Sequence, residues 1–125
     1  MGGEKIGYDG LIIATGARAR KLSKFDHIDG IHTLRTVDDA LAIRLGLISS
    51  SSIVIVGAGF IGSEVAAAAR QRGCKVTIVE ANEAPLVRGL GIKVGNACAN
   101  LHYSNDIDLR FGVGVKDVHG SSSYP

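Results

Sequence analysis

Ile53-Val54-Ile55-Val56-Gly57-Ala58-Gly59-Phe60-Ile61-Gly62, followed at 75–80 by Lys-Val-Thr-Ile-Val-Glu, is the stretch that decides the fold. Four consecutive aliphatic residues at 53–56 read as a strand of a parallel sheet buried on both faces. The glycine-rich turn opens a helix that carries Val65 and the alanines 66–69, runs to Arg72 and ends at Gly73, a glycine C-cap. Residues 75–79 form the next strand and close on Glu80. Each glycine has a reason: Gly57 permits the tight turn, Gly59 lets an anion approach bare backbone, and Gly62 lets the helix pack closely on the sheet. The helix N-terminus offers unpaired N–H groups and the positive end of its dipole. Glu80 lies 18 residues beyond Gly62, at a strand tip where a carboxylate accepts from an adenosine ribose. No arginine follows it directly, so NAD(H) is expected rather than NADP(H). A tight turn without a ligand leaves Glu80 unexplained. A methyltransferase domain shares the first two glycines and the acid but fits Ile61 and Gly62 less well.

Outward from this unit the pattern thins. Pro85 precedes a helix over about 86–103 that is weakened by Gly89, Gly91 and Gly95. Ile107, Leu109 and Phe111 alternate as a third strand, with Val113 and Val115 continuing the apolar signal. Upstream, Thr36-Val37-Asp38-Asp39 reads as a capping box opening a short helix through Leu41, Ile43, Leu45 and Leu47, to about Ile48. Serines 49–52 are a connector, and residues 17–34 are mostly loop. Gly10-Leu11-Ile12-Ile13-Ala14 reads as a buried strand stopping at Thr15-Gly16. Residues 120–125 are expected to fray. The fold class is therefore α/β: a Rossmann-like three-layer α/β/α arrangement around a partial parallel sheet, with strands in the spatial order 3-2-1.

Composition closes off other classes. Apolar residues at 46% and charged residues at 21% are ordinary for a globular chain of 125 residues. Fourteen basic and twelve acidic side chains divide evenly between the two halves, without the electrostatic footprint of nucleic-acid binding. The one basic cluster, Arg18, Arg20, Lys21 and Lys24, reads as a solvated loop. Cys74 and Cys98 read as buried free thiols in a reducing compartment rather than a disulfide. No spacing suits a metal, no signal-peptide layout opens the chain, and no apolar run approaches the roughly 18 residues of a membrane span. A cytoplasmic protein is expected.

With these segments in order, the sequence resembles the FAD-dependent pyridine nucleotide-disulfide oxidoreductases, most closely the NADH-dependent ferredoxin or rubredoxin reductases. YDGLIIATG at 8–16 resembles the end of the first half of that family's FAD domain, and GIHTLRTVDDA at 30–40 the crossover into its NAD domain. VIVGAGFIGSEVA and VTIVE resemble its nucleotide loop and acid-tipped strand, and residues 86–114 the helix and strand that follow. The resemblance implies an end of FAD-binding segment and crossover at 1–48, an incomplete NAD-binding domain at 49–120 and a tail at 121–125. The family's chain is several times longer, so a piece of something larger is expected, without most of the flavin pocket. No C-x-x-x-x-C pair is present, so a disulfide reductase mechanism has no redox centre here.

The resemblance also implies residue roles. Phe60 falls between the flavin ring and the nicotinamide pocket, with an inward-packed apolar residue as the alternative. Glu64 meets the nicotinamide carboxamide, or is an ordinary first-turn acid. Arg88 lies near the adenosine end of the cofactor, or is a solvated helix arginine. Thr15 and Gly16 form the turn near FAD. The cofactor-binding set is then Thr15, Gly16, Gly57, Gly59, Phe60, Ile61, Gly62, Glu64, Glu80 and Arg88, with no catalytic or metal-ligating side chain. In the intact relative NADH reduces FAD, and electrons pass singly to a ferredoxin or rubredoxin. A non-catalytic truncated nucleotide-binding module is the alternative, and an unpaired 10–14 strand would promote homo-oligomers.

Overall fold

The computed structural model describes residues 3–25 and 27–120; of the stretch 120–125 expected to fray, 121–125 lie outside them. A 3₁₀ turn at Ser23–Phe25 is followed by α1 (Val37–Gly46), β1 (Ser52–Val56), α2 (Phe60–Gln71), β2 (Lys75–Glu80), α3 (Val87–Ser104) and β3 (Ile107–Phe111). The three strands form one parallel sheet in the order β1-β2-β3, the order expected. In register, Ile53 pairs with Val76 and Val76 with Ile107, while Ile55 pairs with Ile78 and Ile78 with Leu109.

That register places the apolar rows on one face. Ile78 is fully buried there, and Val76, Ile107 and Leu109 nearly so, packed with Ala66 and Ala69 of α2 and Ala99 of α3. Two successive right-handed crossovers running in one direction put both connecting helices on the same side of the sheet. The opposite face, carrying Val54, Val56, Asp108 and Arg110, is open. Two layers are therefore seen among the described residues rather than three. The continuous apolar run of β1 is covered on one face only, with Val54 64% and Val56 54% exposed.

Local chemistry explains the element ends. Thr36 caps α1: its side chain accepts from the Asp39 N–H, and the Asp39 carboxylate accepts from the Thr36 N–H at 2.9 Å and the Arg35 N–H at 2.8 Å. These amides hold the Asp39 carboxyl below its ordinary value. α1 buries no residue of its own, because its large aliphatics Leu41, Ile43 and Leu45 recur at a spacing of two and scatter around the helix; Leu47, just past its end, reaches the core. Gly73 has φ +82, its N–H donates to Arg70, and Cys74 N–H donates to Ala69, which completes a Schellman closure of α2. Cys74 is buried as expected, but Cys98 is only half-buried, and both are free thiols.

The expected 10–14 strand does not form. Leu11, Ile12 and Ile13 lie outside the sheet and are exposed, Ile12 at 89%. A β-branched run makes a strand only when a neighbour takes up its N–H and C=O groups, and no strand of this sheet does so. Val113 and Val115 likewise do not extend β3, which stops before Gly112. The glycines of α3 gain packing reasons. A Cβ at Gly95 would stand 2.5 Å from the Pro85 carbonyl oxygen, and one at Gly89 would stand 3.0 Å from the Phe60 ring. Gly91 leaves helical geometry and breaks α3 into two segments.

Candidate functional site

The site forms where β1 and β2 end. Gly57 takes φ +100, and its N–H donates to the Val79 carbonyl at 2.8 Å, which ties the start of the loop to β2. Ala58 is completely buried and held from both sides: its N–H donates to Glu80 Oε2 at 2.7 Å, and its carbonyl accepts from the Leu86 N–H at 2.9 Å. Gly62 is fixed by proximity, since a Cβ there would stand 2.1 Å from the Gly57 carbonyl oxygen.

Gly59 differs from both. As N-cap of α2 it has an ordinary extended backbone, φ −76 and ψ −175, and a Cβ would meet nothing within 4 Å. Neither conformation nor internal packing requires glycine at this position. What the missing Cβ does is leave the space before α2 open, as it would have to be if a pyrophosphate approached the backbone. The first turn of α2 has no side-chain cap and no acidic residue, so its free N–H groups and dipole face this space unopposed. The residues present thus fit the phosphate-bearing end of a dinucleotide.

Glu80 is 9% exposed, and both of its oxygens are engaged. Oε2 accepts from Ala58, while Oε1 accepts from the Asn82 N–H at 2.8 Å and from Asn82 Nδ2–H. Burial pushes its carboxyl upward. The Asn82 and Ala58 amides, the Asn82 side chain and the Arg88 guanidinium more than offset this, and the carboxyl titrates below its usual value. A carboxylate has roughly four acceptor positions, and three are used, so Oε2 retains one.

Arg88, second residue of α3, is exposed with its charge in the field of Glu80. Phe60 is 58% exposed and lies against α3 at Gly89, so it is not packed inward. Ile61 is also exposed. Glu64 is an exposed residue of α2 beyond its first turn. Thr15 and Gly16 are exposed in the N-terminal arm outside the sheet; the arm is tied by Arg35 Nε–H donating to the Ala17 carbonyl at 3.2 Å. Sequence reasoning missed Asn82 as the partner of Glu80. It also missed the contact of His102 Nε2 with Ser63 Oγ at 3.2 Å, which joins α3 to α2.

A parallel strand–glycine loop–helix–strand unit with a carboxylate at the second strand tip defines the Rossmann-like class. Within it, this chain belongs to the pyridine nucleotide-disulphide oxidoreductase family, whose sequence model matches residues 1–124. It is 42% identical over 117 residues to rhodocoxin reductase of Rhodococcus erythropolis, covering 93% of this chain and 27% of that protein. It is 39% identical over 117 residues to the ferredoxin–NAD(+) reductase component of the p-cumate 2,3-dioxygenase system of Pseudomonas putida, covering 93% and 29%. Among solved structures, the covalent putidaredoxin reductase–putidaredoxin complex matches with a TM-score of 0.83 at 34% identity, over 91% of this chain and 28% of the matched one. The chain thus spans less than a third of the length of these curated relatives. No helix among the described residues is long and apolar enough to cross a membrane.

Proposed function

We propose that this chain is the NAD(H)-binding portion of an FAD-dependent reductase that passes electrons from NADH to a ferredoxin- or rubredoxin-type acceptor. The observation that carries the reading is the open, uncapped helix N-terminus at Gly59, next in sequence to Ala58, whose N–H is held by the buried carboxylate of Glu80. The nicotinamide, when bound, supplies the hydride; the chain's own part is to hold the pyrophosphate at α2 and the adenosine ribose at Glu80. Glu64, Phe60 and Arg88 are assigned to the carboxamide, the nicotinamide face and the adenosine end. Thr15 and Gly16 are assigned to the flavin side, and residues 1–48, 49–120 and 121–125 to the FAD segment with crossover, the NAD domain and the tail. The ferredoxin-type acceptor is proposed from the likeness to the ferredoxin–NAD(+) reductase of the p-cumate dioxygenase system and to putidaredoxin reductase in its complex with putidaredoxin.

Calorimetric titration with NADH, NADPH and FAD tests the reading. NADH is expected to bind at least about tenfold more tightly than NADPH, because Glu80 accepts a 2′-hydroxyl and repels a 2′-phosphate. Gly59→Ala is expected to keep stability within about 1 kcal/mol while weakening NADH at least tenfold. An unchanged NADH affinity in that variant removes the pyrophosphate assignment.

The exposed arm carrying Leu11, Ile12 and Ile13 is proposed to associate with its counterpart in a second copy. Light scattering should show a dimer or larger species that dissociates when Ile12 and Ile13 are both changed to Lys. A dilute wild-type monomer overturns this.

A further inference from the structure

We propose that Asn82 is a positioning residue that sets coenzyme choice by fixing which Glu80 oxygen is left for the ribose; the inference rests on the reading of Glu80 as the ribose acceptor. Asn82 donates twice to Oε1, from its main chain at 2.8 Å and from Nδ2. Ala58 N–H takes one position on Oε2 at 2.7 Å. With two acceptor positions on each oxygen, Oε1 is saturated, and the one free position lies on Oε2, the oxygen that faces the glycine loop. Asn82 is itself anchored, since its carbonyl accepts from the Gly112 N–H at 3.1 Å and the Glu80 carbonyl accepts from the Val113 N–H at 3.2 Å. The tip of β2 is thus fastened to the exit of β3 on one side and to the glycine loop on the other.

Removing the Asn82 side chain leaves every one of these main-chain bonds possible. It frees only the second position on Oε1. The carboxylate is then held by one main-chain donor on each oxygen, and its free acceptor position is no longer confined to Oε2. A hydroxyl, which needs that position, loses more than a phosphate, which Glu80 repels in either pose.

The probes are NADH, NADPH and an NADH analogue lacking the adenosine 2′-hydroxyl, titrated into wild type, Asn82→Ala, Glu80→Gln and the double variant. Asn82→Ala is expected to weaken NADH about tenfold, in the range of a lost charge-assisted hydrogen bond, and to leave NADPH within twofold. In the Glu80→Gln background it should add less than twofold. If the two losses multiply, or if Asn82→Ala weakens both coenzymes equally, the proposal is overturned. If Glu80→Gln leaves the NADH/NADPH ratio unchanged, the ribose reading itself fails, whatever Asn82 does. Should the Glu80 variants not fold, the analogue decides alone. Wild type and Asn82→Ala should bind it equally, and a tenfold difference would show that Asn82 does not work through the hydroxyl contact.

Discussion

Gly62→Ala is expected to cost about 3 kcal/mol of stability and to abolish detectable NADH binding. The Rossmann fingerprint in general admits alanine at its third position, but the geometry here does not. A Cβ at residue 62 would stand 2.1 Å from the Gly57 carbonyl oxygen, 3.2 Å from its carbon and 3.3 Å from Ile55 Cγ2. Two of these three atoms are main chain, so no rotamer change relieves the clash. Either α2 moves outward, which opens the contact of Ala66 and Ala69 with the sheet, or the peptide after Gly57 turns and loses the Ala58 N–H bond to Glu80 Oε2. Both outcomes displace the helix N-terminus from its anion-facing position. Urea unfolding and NADH titration of this variant measure the two effects. A loss of stability below about 0.5 kcal/mol would show that the loop and helix are not packed as described.

The second large effect is predicted at Glu80. Glu80→Gln retains shape but exchanges one acceptor oxygen for an NH₂ group, so either the buried Ala58 N–H or the pair of Asn82 donors faces another donor. Leaving such groups unpaired costs about 1–3 kcal/mol, and wild type should exceed the variant by about that amount at pH 7. The sign of its pH dependence follows from the carboxyl being depressed in the folded state. A depressed carboxyl contributes its stability in full above the unfolded value of about 4.3. The contribution is lost as pH falls through the folded value. The gap between wild type and Glu80→Gln should therefore hold from pH 7 to about pH 5 and narrow on further acidification. A gap that stays constant or widens below about pH 5 contradicts the ionised, amide-bonded carboxylate.

Where local chemistry alone specifies the backbone, the fold was legible in the residues. The Thr36–Asp39 capping box and the Gly73 closure of α2 rest on neighbours within a few positions, the 53–80 strand–loop–helix–strand unit on a motif contiguous in sequence, and all are present. Features set by distant partners were not legible. The run at 10–14 has the composition of a strand, yet strand formation depends on an adjacent edge that its own residues do not encode. The apolar alternates Val54 and Val56 look the same in sequence whether or not a layer covers them. In the site, Glu80 could be placed by its spacing from Gly62. Its bond to Ala58 spans 22 residues of chain and became visible only once β1 and β2 were paired. Gly89 and Gly95, unexplained as helix residues, owe their identity to Phe60 and Pro85 across the α2 and β2–α3 segments.

The one-directional order of the sheet also limits how it can grow. β1 is an edge, and any parallel strand added beside it must be reached by a crossover running the opposite way. Handedness would then put that connection on the Val54 and Val56 face. The ends of the two connections would part above Gly57 and Gly59 and leave a crevice at the carboxyl ends of the strands. The glycine loop therefore sits at the point where a growing sheet would reverse its winding, and an extra strand there would supply the second wall of that crevice.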